Sequence, residues 1–101
     1  MTPTTPVRLH LGRLFMTESI LTLARSGTVE ILKLLERHAT GDAGDVSEAR
    51  KEMNAAAIEG RGLVVSRYQV APALNVVILT NEECSVSKCM LLSEFLDDLH
   101  D

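Results

Sequence analysis

HATGDAGDVSEARKEMNAAAIEGRGLVVSRY, residues 38–68, carries the chain from helices into strands and decides its fold. A helix ends on Gly41, the residue type that best accepts a left-handed cap. A tight acidic turn follows. Asp45 and Glu48 then have the spacing of a capping box, with Ser47 as the fallback cap, so a new helix runs from Val46. Val46, Ala49, Met53 and Ala56 line one side of it, and Ala55, Ala56 and Ala57 permit close approach to a sheet. Gly60 ends this helix, and Gly62 gives the chain the freedom to turn into a strand.

Upstream, Ile31, Leu34, Leu35 and His38 form the inner stripe of a helix that begins after Gly27 with Thr28 as its cap. Before it, Thr17 caps a short helix containing Ile20, Leu23 and Ala24, and Met16 can staple against Leu21. Val7, Leu9 and Leu11 alternate with Arg8, His10 and Gly12, a period of two that predicts a strand continuing towards Phe15. Residues 1–6 read as a flexible leader, because Pro3 and Pro6 disfavour regular pairing. Residues 7–101 are then a single domain.

Downstream, residues 63–71 are rich in β-branched side chains and predict a strand. Residues 72–75 turn it, residues 76–80 return as an apolar central strand, and residues 86–91 form the last strand after the loop 81–85. Ser93 caps a final helical turn or two containing Phe95, Leu96 and Leu99. Asp97, Asp98 and Asp101 oppose the helix dipole there and predict fraying. The order β-α-α-α-β-β-β-α with hairpin-joined strands predicts an α+β domain: an antiparallel sheet of three to four strands, with helices packed on one face.

The composition narrows the function classes. Fourteen acidic residues stand against 10 Lys and Arg, a net charge of −4. Gripping phosphates needs clustered cations, so direct nucleic-acid binding is disfavoured and a basic partner suits better. Phe15, Tyr68 and Phe95 are the only aromatics, so the core must be aliphatic. No apolar run approaches the ~20 residues of a membrane-crossing helix, and the N-terminus lacks the apolar stretch and cleavage site of a signal peptide. A cytoplasmic location is expected, with Cys84 and Cys89 reduced.

Chemistry is sparse. His10, His38 and His100 are far apart, and Cys84 with Cys89 makes one ligand pair where structural zinc wants two, so no metal is expected. Cys84 and His38 carry no flanking signature of a nucleophile and its base, and no catalytic residue is assigned. Residues 41–44 lack the Lys of a phosphate loop, and no cofactor is expected. The most suggestive cluster is Asp42, Asp45 and Glu48, with Glu82 and Glu83 as possible additions from the last hairpin. These acids are candidates for binding a partner. The local alternative is that Asp42 makes an Asx turn and Asp45 caps the helix.

One resemblance adds to this. His38-x-x-Gly41-Asp42-x-Gly44-Asp45-Val46, followed by Asn54, Ala57, Gly60, Ser66 and Tyr68, resembles small "plasmid-related" proteins of bacterial plasmids and integrated mobile elements. Their pattern continues with an Ile-Thr-Glu-Ala-Asp-Arg-Ser segment and Leu-Leu-Pro-Glu-Tyr. Here Leu79-Thr80-Asn81-Glu82-Glu83-Cys84-Ser85 and Leu91-Leu92-Ser93-Glu94-Phe95 are similar to those parts. The likeness covers roughly residues 9–96. Ala43 replaces an aromatic of the turn, and Glu83-Cys84 replaces the Asp-Arg pair. What the resemblance implies is a mobile-element context rather than a defined biochemistry.

The leading expectation is a non-catalytic protein-interaction module. Its partner would be a basic or nucleic-acid-binding host complex, as for an anti-CRISPR or antirestriction inhibitor acting through an acidic surface. Two alternatives stand beside it. Helices followed by a three-strand meander suit a RelE-like ribosome-dependent RNase toxin, for which only Arg67 and Lys88 offer basic groups on the strands. Apolar strands with little charge also suit a small homodimeric accessory or regulatory protein.

Overall fold

A computed structural model describes residues 9–60 and 62–99, with side chains described up to Leu96. The expected leader, the strand start at Val7 and the acids of the tail lie outside the described residues and side chains. Eight elements follow in the expected order: β1 (Arg13–Met16), α1 (Glu18–Arg25), α2 (Ile31–Ala39), α3 (Glu48–Glu59), β2 (Val64–Ala71), β3 (Leu74–Thr80), β4 (Val86–Leu91) and α4 (Leu92–Leu99). The fold is α+β.

β2, β3 and β4 form the expected antiparallel meander, and β1 adds to β4, giving the order β1-β4-β3-β2. That addition is parallel, Arg13 opposite Val86 through Met16 opposite Cys89, so the sheet is mixed and not purely antiparallel. Parallel neighbours need a long connection, which the three intervening helices supply. β1 also starts later than its alternation suggests. Leu9 donates its amide to Ala39 O at 2.7 Å instead of joining the sheet. Gly12 then turns the chain at φ +68, where a Cβ would lie 2.2 Å from Ser85 O.

The side chains of the strands explain the layers. On one face Tyr68, Val76, Ile78 and Cys89 pack with Ile20, Val29, Leu34 and Leu35 from α1, α2 and the segment between them. On the other face Val65, Val77 and Met90 meet Leu92 and Phe95 at the start of α4. The sequence pattern predicts helices on one face only, and α4 departs from it by packing on the other. Phe95 shares its helix with a strand continuation, and the immediate turn from Leu91 into Leu92 sends α4 back over the side that α1 and α2 leave free. α3 buries a single residue, Asn54, and sits against the outer edge of β2.

Capping follows local chemistry with some changes of position. Thr17 caps α1 by accepting from Ile20 N, and Ser47 caps α3 by accepting from Arg50 N at 3.1 Å. Thr28 does not cap α2, whose first residue is Ile31. Instead its amide closes α1 by donating to Leu23 O. At α4, Ser93 lies within the helix. Glu94 does the capping, accepting from Leu91 N at 2.9 Å and from the Thr17 hydroxyl at 2.8 Å, which ties α4 to the start of α1. No described helix is long and apolar enough to cross a membrane.

Candidate functional site: the clasped edge and the half-covered face

The stretch 41–54 performs one definite task, which is to close the outer edge of β2. An edge strand presents unpaired backbone groups at every second residue. Here those residues are Leu63, Val65, Arg67 and Gln69. Leu63 O accepts from the Arg50 guanidinium at 2.6 Å. Val65 exchanges two hydrogen bonds with the side-chain amide of Asn54, at 3.0 Å to Oδ1 and 2.7 Å from Nδ2. Arg67 donates to Ala43 O at 2.9 Å and accepts from Asp45 N at 2.7 Å, a short parallel bridge across Gly44. Gln69 N donates to Asp45 Oδ2 at 3.2 Å.

The acidic candidates take their places around this clasp. Asp42 accepts from Arg37 Nε at 2.7 Å and from Gly44 N at 3.1 Å, the Asx turn expected of it. The Arg37 hydrogen bond holds its carboxyl below the usual range. Arg37 in turn stacks over the Tyr68 ring at 4.5 Å, and the Tyr68 hydroxyl donates to Asp42 O. Asp45 does not cap α3, because Ser47 takes that role and leaves the Asp45 carboxylate for Gln69. Glu48 is exposed and pairs with Lys51 at 3.3 Å. Glu82 and Glu83 are exposed at the β3–β4 turn.

These five acids do not gather. Asp45 meets Gln69 towards one end of β2, while Glu82 shares a groove with Met53, Gly62 and Leu63 at the other. Six strand residues separate the two places, roughly 20 Å. A second groove, of about 590 Å³, lies between α3 and the turn at Gly41 and Ala43, with Lys51 and Glu59 on its rim.

A buried polar chain crosses the first face. Ser87 Oγ donates to Leu11 O at 2.7 Å, Thr80 Oγ1 lies 2.7 Å from Ser87 Oγ, and His38 Nε2 lies 2.8 Å from Thr80 Oγ1. Ser66 Oγ is 2.6 Å from His38 Nδ1. Each hydroxyl has one proton, so the directions follow from the first bond. Ser87 must accept from Thr80, Thr80 must accept from Nε2–H, and Nδ1 must accept from Ser66. His38 is neutral and fully bonded, and burial pushes its pKa down to about 4. Burial also pushes the Cys89 thiol and the Tyr68 phenol up to about 12. Among the described residues no three His, Cys, Asp or Glu side chains are grouped to hold a metal.

The second face is only half covered. Across it the strand register aligns Phe15, Lys88, Leu79 and Val65 in one row. α4 shields the neighbouring row of Met90 and Val77. Beyond that shield Phe15 is 46% exposed, Leu63 39% and Met53, on α3, 56%. Arg13 stacks on Phe15 at 5.4 Å. The sequence offers only apolar strands with little charge as a signal for this face, because Phe15 and Lys88 become neighbours only through the register of β1 on β4. Asn54 and Ser66 enter the sequence reading only through the resemblance, with no role attached, and Ser87 not at all, although Ser66, Thr80 and Ser87 are polar residues at inward strand positions. Comparison with protein-family models, curated proteins and solved structures finds no match.

Proposed function

We propose that this protein is a non-catalytic module that binds another protein through the half-covered face of its sheet. The observation that carries this is the exposure of three large apolar side chains beside the part of the sheet that α4 covers. Leu92 and Phe95 cover Met90 and Val77, while Phe15, Leu63 and Met53 remain exposed beside them. Single exposed apolar residues are ordinary, but several large ones around one strand face mark where partners dock. Arg67 and Lys88 lie on this face, whereas His38 is bonded at both nitrogens beneath the other. That separation favours binding over the RelE-like alternative, which needs acid–base and cationic groups together.

The resemblance of residues 9–96 to plasmid-borne proteins favours a mobile-element setting, with a basic host defence complex of the CRISPR or restriction type as partner. Glu82 and Glu83 are the acids able to compete there with phosphates for Lys and Arg. Asp42 and Asp45 are already bonded within the chain.

Affinity capture from host lysate tests the proposal. Wild type and Asp42→Asn should retain the same partner, and a folded Phe15→Ser, Leu63→Ser double variant should lose it. Equal retention by all three would refute the use of this face.

A further inference from the structure

We propose that the open edge of β1 pairs antiparallel with β1 of a second copy of this chain, joining two sheets into one about a two-fold axis perpendicular to them. The inference goes beyond the docking face and does not rest on it, because it uses backbone groups at the end of the sheet.

The two edges of the sheet are finished differently. On β2 the outward residues Leu63, Val65, Arg67 and Gln69 are all bonded by α3 or the turn before it. On β1, Arg13 N donates to Ser85 O at 2.9 Å and Thr17 N to Cys89 O at 3.1 Å. By the alternation of a parallel ladder, Arg13, Phe15 and Thr17 therefore face β4, while Leu14 and Met16 turn their N–H and C=O outwards. Among the described residues nothing bonds these outward groups. Edges are usually blunted by Lys, Pro, a bulge or a covering element. The strand RLFM has neither Lys nor Pro and runs in unbroken register, with Leu14 45% and Phe15 46% exposed. α1 and α4 make their main sheet contacts on β4 and β3, inside this edge.

A second copy fits because the edge is complementary to itself. A two-fold interface sets residue i against j and j against i. With Phe15 on the axis, Leu14 opposes Met16 of the other copy and Met16 opposes Leu14. Both are outward residues, so each such pair exchanges both of its hydrogen bonds. Leu14 meets Met16 on the side of the sheet where Met16 already packs against the first core. Phe15 meets Phe15 on the half-covered side, in the closer kind of cross-strand pair, where aromatic side chains touch. Arg13 comes opposite Thr17, whose hydroxyl holds the Glu94 carboxylate. The registers on either side are poorer. Leu14 on the axis would set Met16 against Gly12, turned at φ +68, and Met16 on the axis would set Leu14 against Glu18, already in α1. Each of these keeps half of the bonds. The strand is short, so association with a Kd of roughly tens to hundreds of micromolar is expected.

The decisive measurement is sedimentation of the full chain from about 5 to 500 µM, an interval set by that expected affinity. Wild type should form a dimer. Leu14→Pro removes an N–H that no bond of the fold uses, at a place where an edge strand tolerates Pro. It should keep the circular dichroism of wild type and weaken dimerisation at least roughly tenfold. Phe15→Glu and Phe15→Lys each set like charges directly opposite across the axis and should also weaken it. An equimolar mixture of these two variants opposes a carboxylate to an ammonium and should recover dimerisation, a rescue that requires Phe15 to lie on the axis. A wild type that stays monomeric, a Leu14→Pro variant that dimerises as wild type does, or a mixture no better than its components would each overturn the second copy. If a monomeric wild type captures a host protein that Leu14→Pro does not, the edge takes a foreign strand and this inference falls. Capture that Leu63→Ser abolishes and Leu14→Pro leaves intact keeps the docking-face proposal standing, whatever sedimentation shows.

Discussion

Asn54 and Val65 meet as two strands would: one side-chain amide satisfies both the N–H and the C=O of a single edge residue, at 3.0 and 2.7 Å. Asn54 is the only buried residue of α3, so the helix is held to the domain by polar bonds more than by apolar area. Replacing Asn54 by Leu strands two buried backbone groups, each costing about 1–3 kcal/mol. Asn54→Leu should therefore lower the unfolding free energy by about 2–6 kcal/mol in denaturant titration. It should also raise aggregation through the opened β2 edge. A change below about 0.5 kcal/mol, typical of an ordinary surface site, would contradict the clasp.

His38 predicts an acid-side loss of stability. Its folded pKa is about 4 against an ordinary 6.5. Between these values the unfolded chain binds a proton that the folded chain refuses. The contribution is complete above 6.5 and is lost as pH falls towards 4, by at most about 3 kcal/mol. Proton NMR of the imidazole should show a midpoint well below 6.5, and its nitrogen shifts should report the Nε2–H tautomer. Titration near 6.5 would mean that the Ser66 and Thr80 bonds do not seal the ring.

Two glycines of the same turn should respond differently to alanine. Gly41 has φ +94 with nothing near the position of a Cβ, so Gly41→Ala meets only backbone strain of about 1–2 kcal/mol. Gly44 has φ +70, and a Cβ there would lie 2.3 Å from Arg67 O and 2.7 Å from the Tyr68 ring. Gly44→Ala must break the bridge to Arg67 and should cost at least twice as much in thermal or denaturant unfolding. Equal losses would show that residues 43–45 do not hold β2 closely.

How much of this is legible in the sequence depends on the range of the interaction. Thr17, Ser47 and Gly41 act on their own turns, so the order of elements follows from caps and periodicity. The direction of β1 does not, because the four residues RLFM contain no turn that ties them to β4 across three helices and two strands. Asn54 reads as an ordinary helix residue until β2 is known to be an edge. Asp45 fits a capping box, but Ser47 lies two residues nearer the helix and wins, which frees Asp45 for Gln69. The half-covered face depends on where α4 turns after Leu91, and no local pattern records that.

The cysteines supply a last test, of core rigidity. Cys84 and Cys89 are both free, Cys84 partly exposed in the β3–β4 loop and Cys89 1% exposed beneath α1 and α2. Thiol reagents attack the thiolate, and burial pushes the Cys89 thiol up to about 12, so its thiolate is scarce as well as inaccessible. Native protein at pH 8 should therefore modify one thiol rapidly. The second should wait for opening of the sheet and react at least a hundredfold more slowly, an order of magnitude consistent with ~3 kcal/mol of local opening. Asn54→Leu should leave this ratio nearly unchanged if α3 detaches alone, and should collapse it if β2 comes away with the helix. Mass spectrometry of the labelled protein distinguishes the two, because Cys89 sits on β4, two strands away from the clasp. Fast labelling of both thiols in wild type would contradict a closed first core.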